Sequence, residues 1–217
     1  MSGEAWGGAR GRFITFEGGE GCGKSTQLRL LAAALEERGF SVLALREPGG
    51  TAAGERIREM LLAKESDGLS PMAELMLYEA ARAQIVGELI RPALEAGKVV
   101  LCDRFTDSTL AYQGFGRGLD VELIRRMNAA ATGGLEPDAT VMLFIEPQEG
   151  LRRAMGVTGG DGGGDRIEAA GLAFHQRVAQ GFSRIAMEEP ERVLAVGAAG
   201  TVEEVHQAVL ARVLPML

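Results

Sequence analysis

Two cysteines, Cys22 and Cys102, are the only ones in 217 residues, too few for a disulfide framework and in keeping with free thiols in a reducing compartment. No segment approaches the roughly 18 consecutive apolar residues that a membrane-spanning helix requires. Residues 1–12 (MSGEAWGGARGR) lack the apolar centre of a signal peptide, so the expectation is a cytoplasmic protein with a disordered Gly-rich leader outside the fold. A basic excess is also missing. Lys and Arg number 23 against 30 Asp and Glu, a net charge of -7, which argues against a nucleic-acid partner because phosphate backbones recruit basic faces. Any phosphate bound here must meet locally placed arginines. Internal repeats at periods of 20 to 50 residues are absent as well.

What is present reads as one α/β domain over residues 13–217, with 46% hydrophobic and 24% charged residues, near the globular average. Five apolar runs, at 13–17, 41–46, 98–103, 139–146 and 192–197, read as strands. Most are continuously apolar rather than alternating, the mark of parallel strands covered on both faces, and helical periodicity fills the segments between them. Ser70-Pro71 marks a helix start, expected to run to about Arg91 before Pro92 kinks it. Ile167, Gly171, Phe174, Val178, Phe182 and Ile185 form an apolar stripe on a helix expected over 165–185. Between Met155 and Gly164 six of ten residues are glycine, which predicts a mobile loop. His175 and His206 lack any partner motif and are assigned packing or surface roles.

Chemistry enters at the first strand, FITFE, which runs into GGEGCGKST. Gly18, Gly23, Lys24 and Ser25 satisfy G-x-x-x-x-G-K-[ST], with an apolar strand before and a helical segment after. Residues Gly18, Gly19, Glu20, Gly21, Cys22, Gly23, Lys24, Ser25 and Thr26 are therefore the candidate ATP-binding loop. Glycines let backbone N–H groups close around a phosphate, and the helix N-terminus adds positive potential. Lys24 is placed to reach the β- and γ-phosphates, and Ser25 to supply a hydroxyl to Mg²⁺. Asp103, ending the strand VVLCD, is a second candidate on the metal side, as in a Walker B position. Asp103 could equally cap the next helix.

Four further motifs follow in order: REPGGT (46–51), YEAAR (78–82), DRFTDSTLAYQG (103–114) and DRIE (165–168). Their order and spacing resemble the thymidylate kinase family, over nearly the whole chain from Phe13 onward. The resemblance implies a three-layer P-loop NTPase fold, a five-stranded parallel sheet flanked by helices with a short mobile lid at about 152–166. It implies phosphorylation of dTMP by ATP with Mg²⁺, and a homodimer. Arg46 and Arg104 match the arginines that hold the dTMP phosphate, work suited to a guanidinium fork. Pro48 matches a proline that takes a cis bond. Tyr78 and Arg82, four apart on one helix, match the pair that stacks on thymine and donates to its O4; the family often has Phe where Tyr78 stands. Thr109 and Gln113, a second pair four apart, match contacts to the thymine edge, with Tyr112 against the deoxyribose. Glu17 matches an acidic residue near the sugar 3′-hydroxyl and the metal.

The lid departs from the family pattern. Bacterial-type members carry an arginine-rich lid, whereas glycines from Gly159 to Gly164 bring no charge. The catalytic set expected here is Lys24, Arg104 and a lid-flanking arginine, with Arg153 favoured, Arg166 next and Arg152 third. Alternatives are a kinase for another nucleoside monophosphate, a P-loop binding protein without kinase activity, and a GTPase-like switch. For the last, residues 161–164 match D-x-x-G, but no N-K-x-D guanine motif is present.

Overall fold

The structure is a computed structural model that describes residues 11–157 and 166–217. Strands β1 (Phe13–Gly18), β2 (Val42–Arg46), β3 (Val99–Asp103), β4 (Ala139–Phe144) and β5 (Val193–Gly197) form one sheet in the order β2-β3-β1-β4-β5. Every pairing is parallel, with Ile14 opposite both Leu101 and Ala139. The helices are α1 (Lys24–Glu36), α2 (Ala52–Leu62), α3 (Pro71–Ile85), α4 (Arg91–Glu95), α5 (Thr106–Thr109), α6 (Val121–Thr132), α7 (Pro147–Val157), α8 (Leu172–Glu188) and α9 (Val202–Val213). The five expected strands are these five, each within two residues of its expected ends.

Alternation along β1 explains the layers. Ile14 and Phe16 pack with Leu28, Leu31 and Leu35 of α1 and with Val205 and Val209 of α9. Phe13, from the opposite pleat, joins Ile85, Val100, Cys102 and Phe105. All six residues of β1 are buried, as a strand covered by helices on both faces must be. The connection leaving β1 turns toward β2 and that leaving β4 turns toward β5, so a crevice opens at the carboxyl ends of the central strands.

Three helical expectations are modified. The stripe helix starts at Leu172 rather than at 165, because Gly171 takes φ 84 at its N-cap and separates it from a short turn at Glu168–Ala170. Ser70 does cap α3, accepting from the Ala73 N–H, but ahead of Pro92 the helix widens into a π turn at Val86–Ile90 instead of simply kinking. Proline has no N–H for the regular ladder, and the wide turn absorbs the mismatch. The expected loop from Met155 begins later, since α7 continues through Val157; the rest of that loop, including the D-x-x-G at 161–164, lies outside the described residues. Of the expected leader, residues 1–10 lie outside the described residues, while the Gly11 N–H donates to Leu94 and Arg12 accepts from the Val100 N–H.

Candidate active site

The loop after β1 closes tightly because its glycines adopt conformations other residues avoid. Gly18, Gly21 and Gly23 have φ of 137, 62 and 89, and a Cβ at Gly21 would collide with the Gly150 carbonyl of α7. The loop curls over Lys24, whose Nζ donates to the carbonyls of Gly18 at 3.2 Å and Gly19 at 2.8 Å and lies 3.6 Å from Cys22 Sγ. Cys22 is buried and fills the loop's interior. Ser25, in the first turn of α1, donates from Oγ to Asp103 Oδ2 at 2.5 Å. A hydroxyl and a carboxylate thus face each other at the helix N-terminus.

Beside this loop stands Arg104, the one non-glycine residue with positive φ (70) among the described residues. Its Nη2 donates to Glu20 Oε1 at 2.8 Å, and its Nη1 lies 3.2 Å from both the Gly18 carbonyl and Ser108 Oγ. The Tyr112 hydroxyl donates to the same Glu20 oxygen at 2.6 Å. Burial works to raise the Glu20 pKa, but Arg104 and Lys24 overcome it and hold the carboxyl down to about 2. Glu20 is therefore a fixed negative charge at the mouth of the loop.

Glu17 was expected at the sugar and metal. The structure turns it inward instead: fully buried, it accepts from the Phe105 N–H at 2.7 Å, the Ser108 N–H at 3.2 Å and Ser108 Oγ at 2.6 Å. Strand alternation is the reason, since Glu17 shares the pleat side of Phe13 and Thr15 rather than the carboxyl-end crevice. Burial and then the neighbouring Asp107 push its carboxyl up to about 8, against the Ser108 hydrogen bond.

At the far end of the crevice the centre is Arg82, 2% exposed despite its charge. Its Nε donates to Glu47 at 2.8 Å; Nη1 reaches Glu79, Thr109 and Asn128 at 3.0, 3.0 and 2.7 Å; one Nη2 hydrogen goes to the Phe105 carbonyl at 3.0 Å. Burial pushes the Glu47 carboxyl up to about 7, with Arg82 opposing. The Glu47-Pro48 peptide is cis, as expected. Arg46 pairs with Glu55 at 2.7 Å on a half-exposed flank, and Arg58 of α2 donates to the Pro48 carbonyl at 3.1 Å. Thr109 directly precedes a π turn at Leu110–Gly116 and Gln113 lies inside it; the turn is wider than an α turn, and their polar atoms diverge. Thr109 Oγ1 turns to Arg82 and Asn128, whereas Gln113 Nε2 donates to Glu74 at 2.8 Å.

The three arginines beside the expected lid separate clearly. Arg152 is 72% exposed and pairs with Glu149. Arg153 also pairs with Glu149, donates to the Ala198 carbonyl at 3.1 Å, and reaches the crevice. Arg166 is buried and pinned elsewhere, donating to the Leu61 carbonyl at 3.0 Å and pairing with Glu74 at 2.5 Å.

One cavity of about 770 Å³ unites these parts. The loop lines it with Glu20, Gly21, Gly23, Lys24, Ser25 and Thr26, and the opposite wall carries Arg46, Pro48, Tyr78, Arg82, Thr109, Tyr112 and Gln113. Asp103, Arg104 and Arg153 lie between. Glu17, Gly18, Gly19, Cys22 and Arg166 are not on its wall. Glu47, Arg58 and Ser108 are wall residues that sequence reasoning passed over; Glu47 sits inside REPGGT and Ser108 inside DRFTDST, where their motifs pointed, while Arg58 had no signal beyond helical spacing. His175 is buried on a small neighbouring cavity behind Gly19 and Glu20, its ring edge-on to Phe174.

Among the described residues no group of three or more His, Cys, Asp or Glu could cage a metal ion. The Ser25 and Asp103 oxygens are hard donors of the kind Mg²⁺ takes when phosphates and water complete its shell, so they fit the ion.

A parallel sheet with a glycine-rich phosphate loop, an arginine-lined middle and a closed polar far end defines a P-loop kinase, with two substrates meeting across one crevice. The family model described as thymidylate kinase matches residues 16–209. A thymidylate kinase of Synechococcus sp. (strain JA-2-3B'a(2-13)) is 52% identical over 205 residues, covering 94% of this chain and 95% of that protein. One of Gloeobacter violaceus is 53% identical over 201 residues, covering 91% and 93%. The crystal structure of thymidylate kinase from Ehrlichia chaffeensis superimposes with a TM-score of 0.74 at 33% identity, over 94% of this chain and 98% of that one. The chain belongs to the thymidylate kinase family.

Proposed function

We propose that this enzyme transfers the γ-phosphoryl group of ATP to dTMP, giving ADP and dTDP. The observation that carries the reading is the single cavity joining the Lys24 loop to the closed wall of Tyr78, Arg82 and Gln113, with Arg104 between them. Phosphoryl transfer needs little covalent help from the protein, so positioning and charge neutralisation account for the rate.

In this reading the loop N–H groups and Lys24 hold the donor phosphates. Arg104 and Arg46 hold the acceptor phosphate, with Arg58 a further cation on the same wall. Ser25 and Asp103 would hold Mg²⁺, which would offset the negative charge of the phosphate groups. Tyr78 offers a ring for stacking, and Arg82, one of whose Nη2 hydrogens is committed to Phe105, offers the other to thymine O4. The carboxylate on the sugar side is Glu20 rather than Glu17, because Glu20 lines the cavity and Glu17 does not. Tyr112 forms the wall against the deoxyribose. Arg153 is the arginine that stabilises the transferring group, as the one lid-flanking guanidinium on the cavity wall.

Among the described residues no helix is long and apolar enough to cross a membrane. We place the enzyme in the cytoplasm, as a homodimer of two 23.0 kDa chains, a mass that light scattering after gel filtration reads directly.

The test is ADP production with ATP and Mg²⁺ against dTMP, dUMP, dCMP, AMP, CMP and GMP, with Lys24→Ala as control. Turnover confined largely to dTMP and lost in the control is expected. Preference for a purine nucleotide would overturn the acceptor assignment, and nucleotide binding without turnover would overturn the kinase reading.

A further inference from the structure

Behind the cavity wall lies a buried polar cluster that the reaction itself does not use. Glu74 of α3 is 1% exposed, yet it carries a carboxylate. Four nitrogens from three side chains converge on it: Gln113 Nε2 at 2.8 Å, Arg117 Nε and Nη2 at 3.2 Å each, and Arg166 Nη2 at 2.5 Å. Burial works to raise its pKa, but the hydrogen bonds from Gln113 and Arg117 and the Arg166 contact hold it below the ordinary carboxylate range. Glu74 is thus an ionised, acceptor-only group.

That fixes the chemistry of its neighbour. A carboxylate accepts and cannot donate, so Gln113 must give it the amide nitrogen. Gln113 also lines the substrate cavity, and the group left for a ligand is its carbonyl Oε1, an acceptor. Rotating the amide would set its carbonyl against a buried carboxylate, acceptor against acceptor, and leave the Gln113 NH2 without that partner at high cost.

We propose that Glu74 is a positioning residue that sets base specificity: by holding Gln113 Nε2 it presents Oε1 to the acceptor base and selects a pyrimidine whose N3 carries hydrogen. This rests on the reading that dTMP is the acceptor. Thymine offers N3–H to Gln113 and O4 to the Arg82 donor. Cytosine offers a bare N3 to Oε1, acceptor against acceptor, and an amine to Arg82, donor against donor. Arg82 alone would reject only one edge of cytosine; Glu74, acting through Gln113, rejects the other. Arg117 and Arg166 supply the positive charge that keeps Glu74 ionised inside the fold.

The experiment measures kcat and KM for dTMP and dCMP in wild type, in Glu74→Gln and in the exchange variant Glu74→Gln/Gln113→Glu. In Glu74→Gln the residue at 74 can donate or accept, so the Gln113 amide is free to turn. The dTMP-over-dCMP ratio of kcat/KM should fall on the order of tenfold or more, mainly through KM for dTMP. In the exchange variant the amide at 74 donates to the carboxylate at 113, which again shows the base an acceptor, and the ratio should return to within about threefold of wild type. A merely structural role would lower both substrates together. An unchanged ratio in Glu74→Gln overturns the proposal. If that single variant fails to fold, the exchange variant decides: a retained ratio supports the assignment and a lost one sinks it. A wild-type enzyme inactive on dTMP would overturn the acceptor reading itself, and this assignment with it.

Discussion

Arg104 lies over the Tyr112 ring, 4.9 Å from its centroid, while its Nη2 and the Tyr112 hydroxyl share one oxygen of Glu20. Three side chains from the phosphate loop, the end of β3 and the π turn are therefore locked together. The positive φ of Arg104 is held in place by this arrangement and by its N–H bond to the Phe16 carbonyl at 2.9 Å. Arg104→Lys keeps the charge and loses the planar fork. Its KM for dTMP should rise about tenfold or more while ATP affinity stays nearly level. An equal loss toward both substrates would place the residue outside the acceptor site.

The lid arginines should differ in kind. Arg153→Ala is expected to lower kcat by a factor on the order of 10³ with little change in melting temperature. Arg166→Ala should do the reverse, costing about 2 kcal/mol of stability, since it strips one of two cationic partners from buried Glu74. Paired denaturation and steady-state kinetics separate the two outcomes.

Glu17 should write a pH dependence into stability. Its folded carboxyl holds a proton up to about 8, whereas the unfolded group releases it near 4.5. Between those values the native state binds more protons, so stability falls as pH rises through that window. Glu17→Gln removes the titration. Its unfolding free energy, measured by urea titration from pH 5 to 8, should be flatter than that of wild type; an equally steep decline would show that other groups carry it.

At the metal side, Ser25→Ala and Asp103→Asn should each raise the Mg²⁺ concentration for half-maximal rate by about tenfold or more. Lys24→Ala should lower kcat without moving that midpoint comparably. A Mg²⁺ requirement untouched by either substitution would remove Ser25 and Asp103 from the ion.

Tyr112→Phe removes the hydroxyl bond to Glu20 and keeps the ring, whereas Tyr112→Ala removes both. If the ring excludes a 2′-hydroxyl, the dTMP over ribo-TMP preference should survive in Phe and collapse by about tenfold in Ala. Equal preferences in all three would sink that role.

Local sequence determined a great deal of this protein. Phosphate-loop spacing, the Ser70-Pro71 helix start and the five apolar runs are signals carried by neighbouring residues, and such signals act before any tertiary contact forms. They were enough to state an α/β fold with five parallel strands and the phosphate-loop side of the cavity, while the acceptor wall was legible through the motifs that resemble the thymidylate kinase family. What sequence could not decide is where a side chain spends its hydrogen bonds, because that depends on partners distant in the chain. Glu17 and Glu20 are three residues apart and both carboxylates, yet the pleat of β1 turned Glu17 into the core, while Glu20, past the strand's end in the phosphate loop, lies on the crevice wall. Arg153 and Arg166 both flank the segment expected to be a lid, but only packing against Leu61 and Glu74 takes Arg166 out of the cavity. Gln113 reads as a base contact from its motif, while the direction of its amide is decided 39 residues away by Glu74, a carboxylate on another helix that leaves the amide no choice of which end to offer.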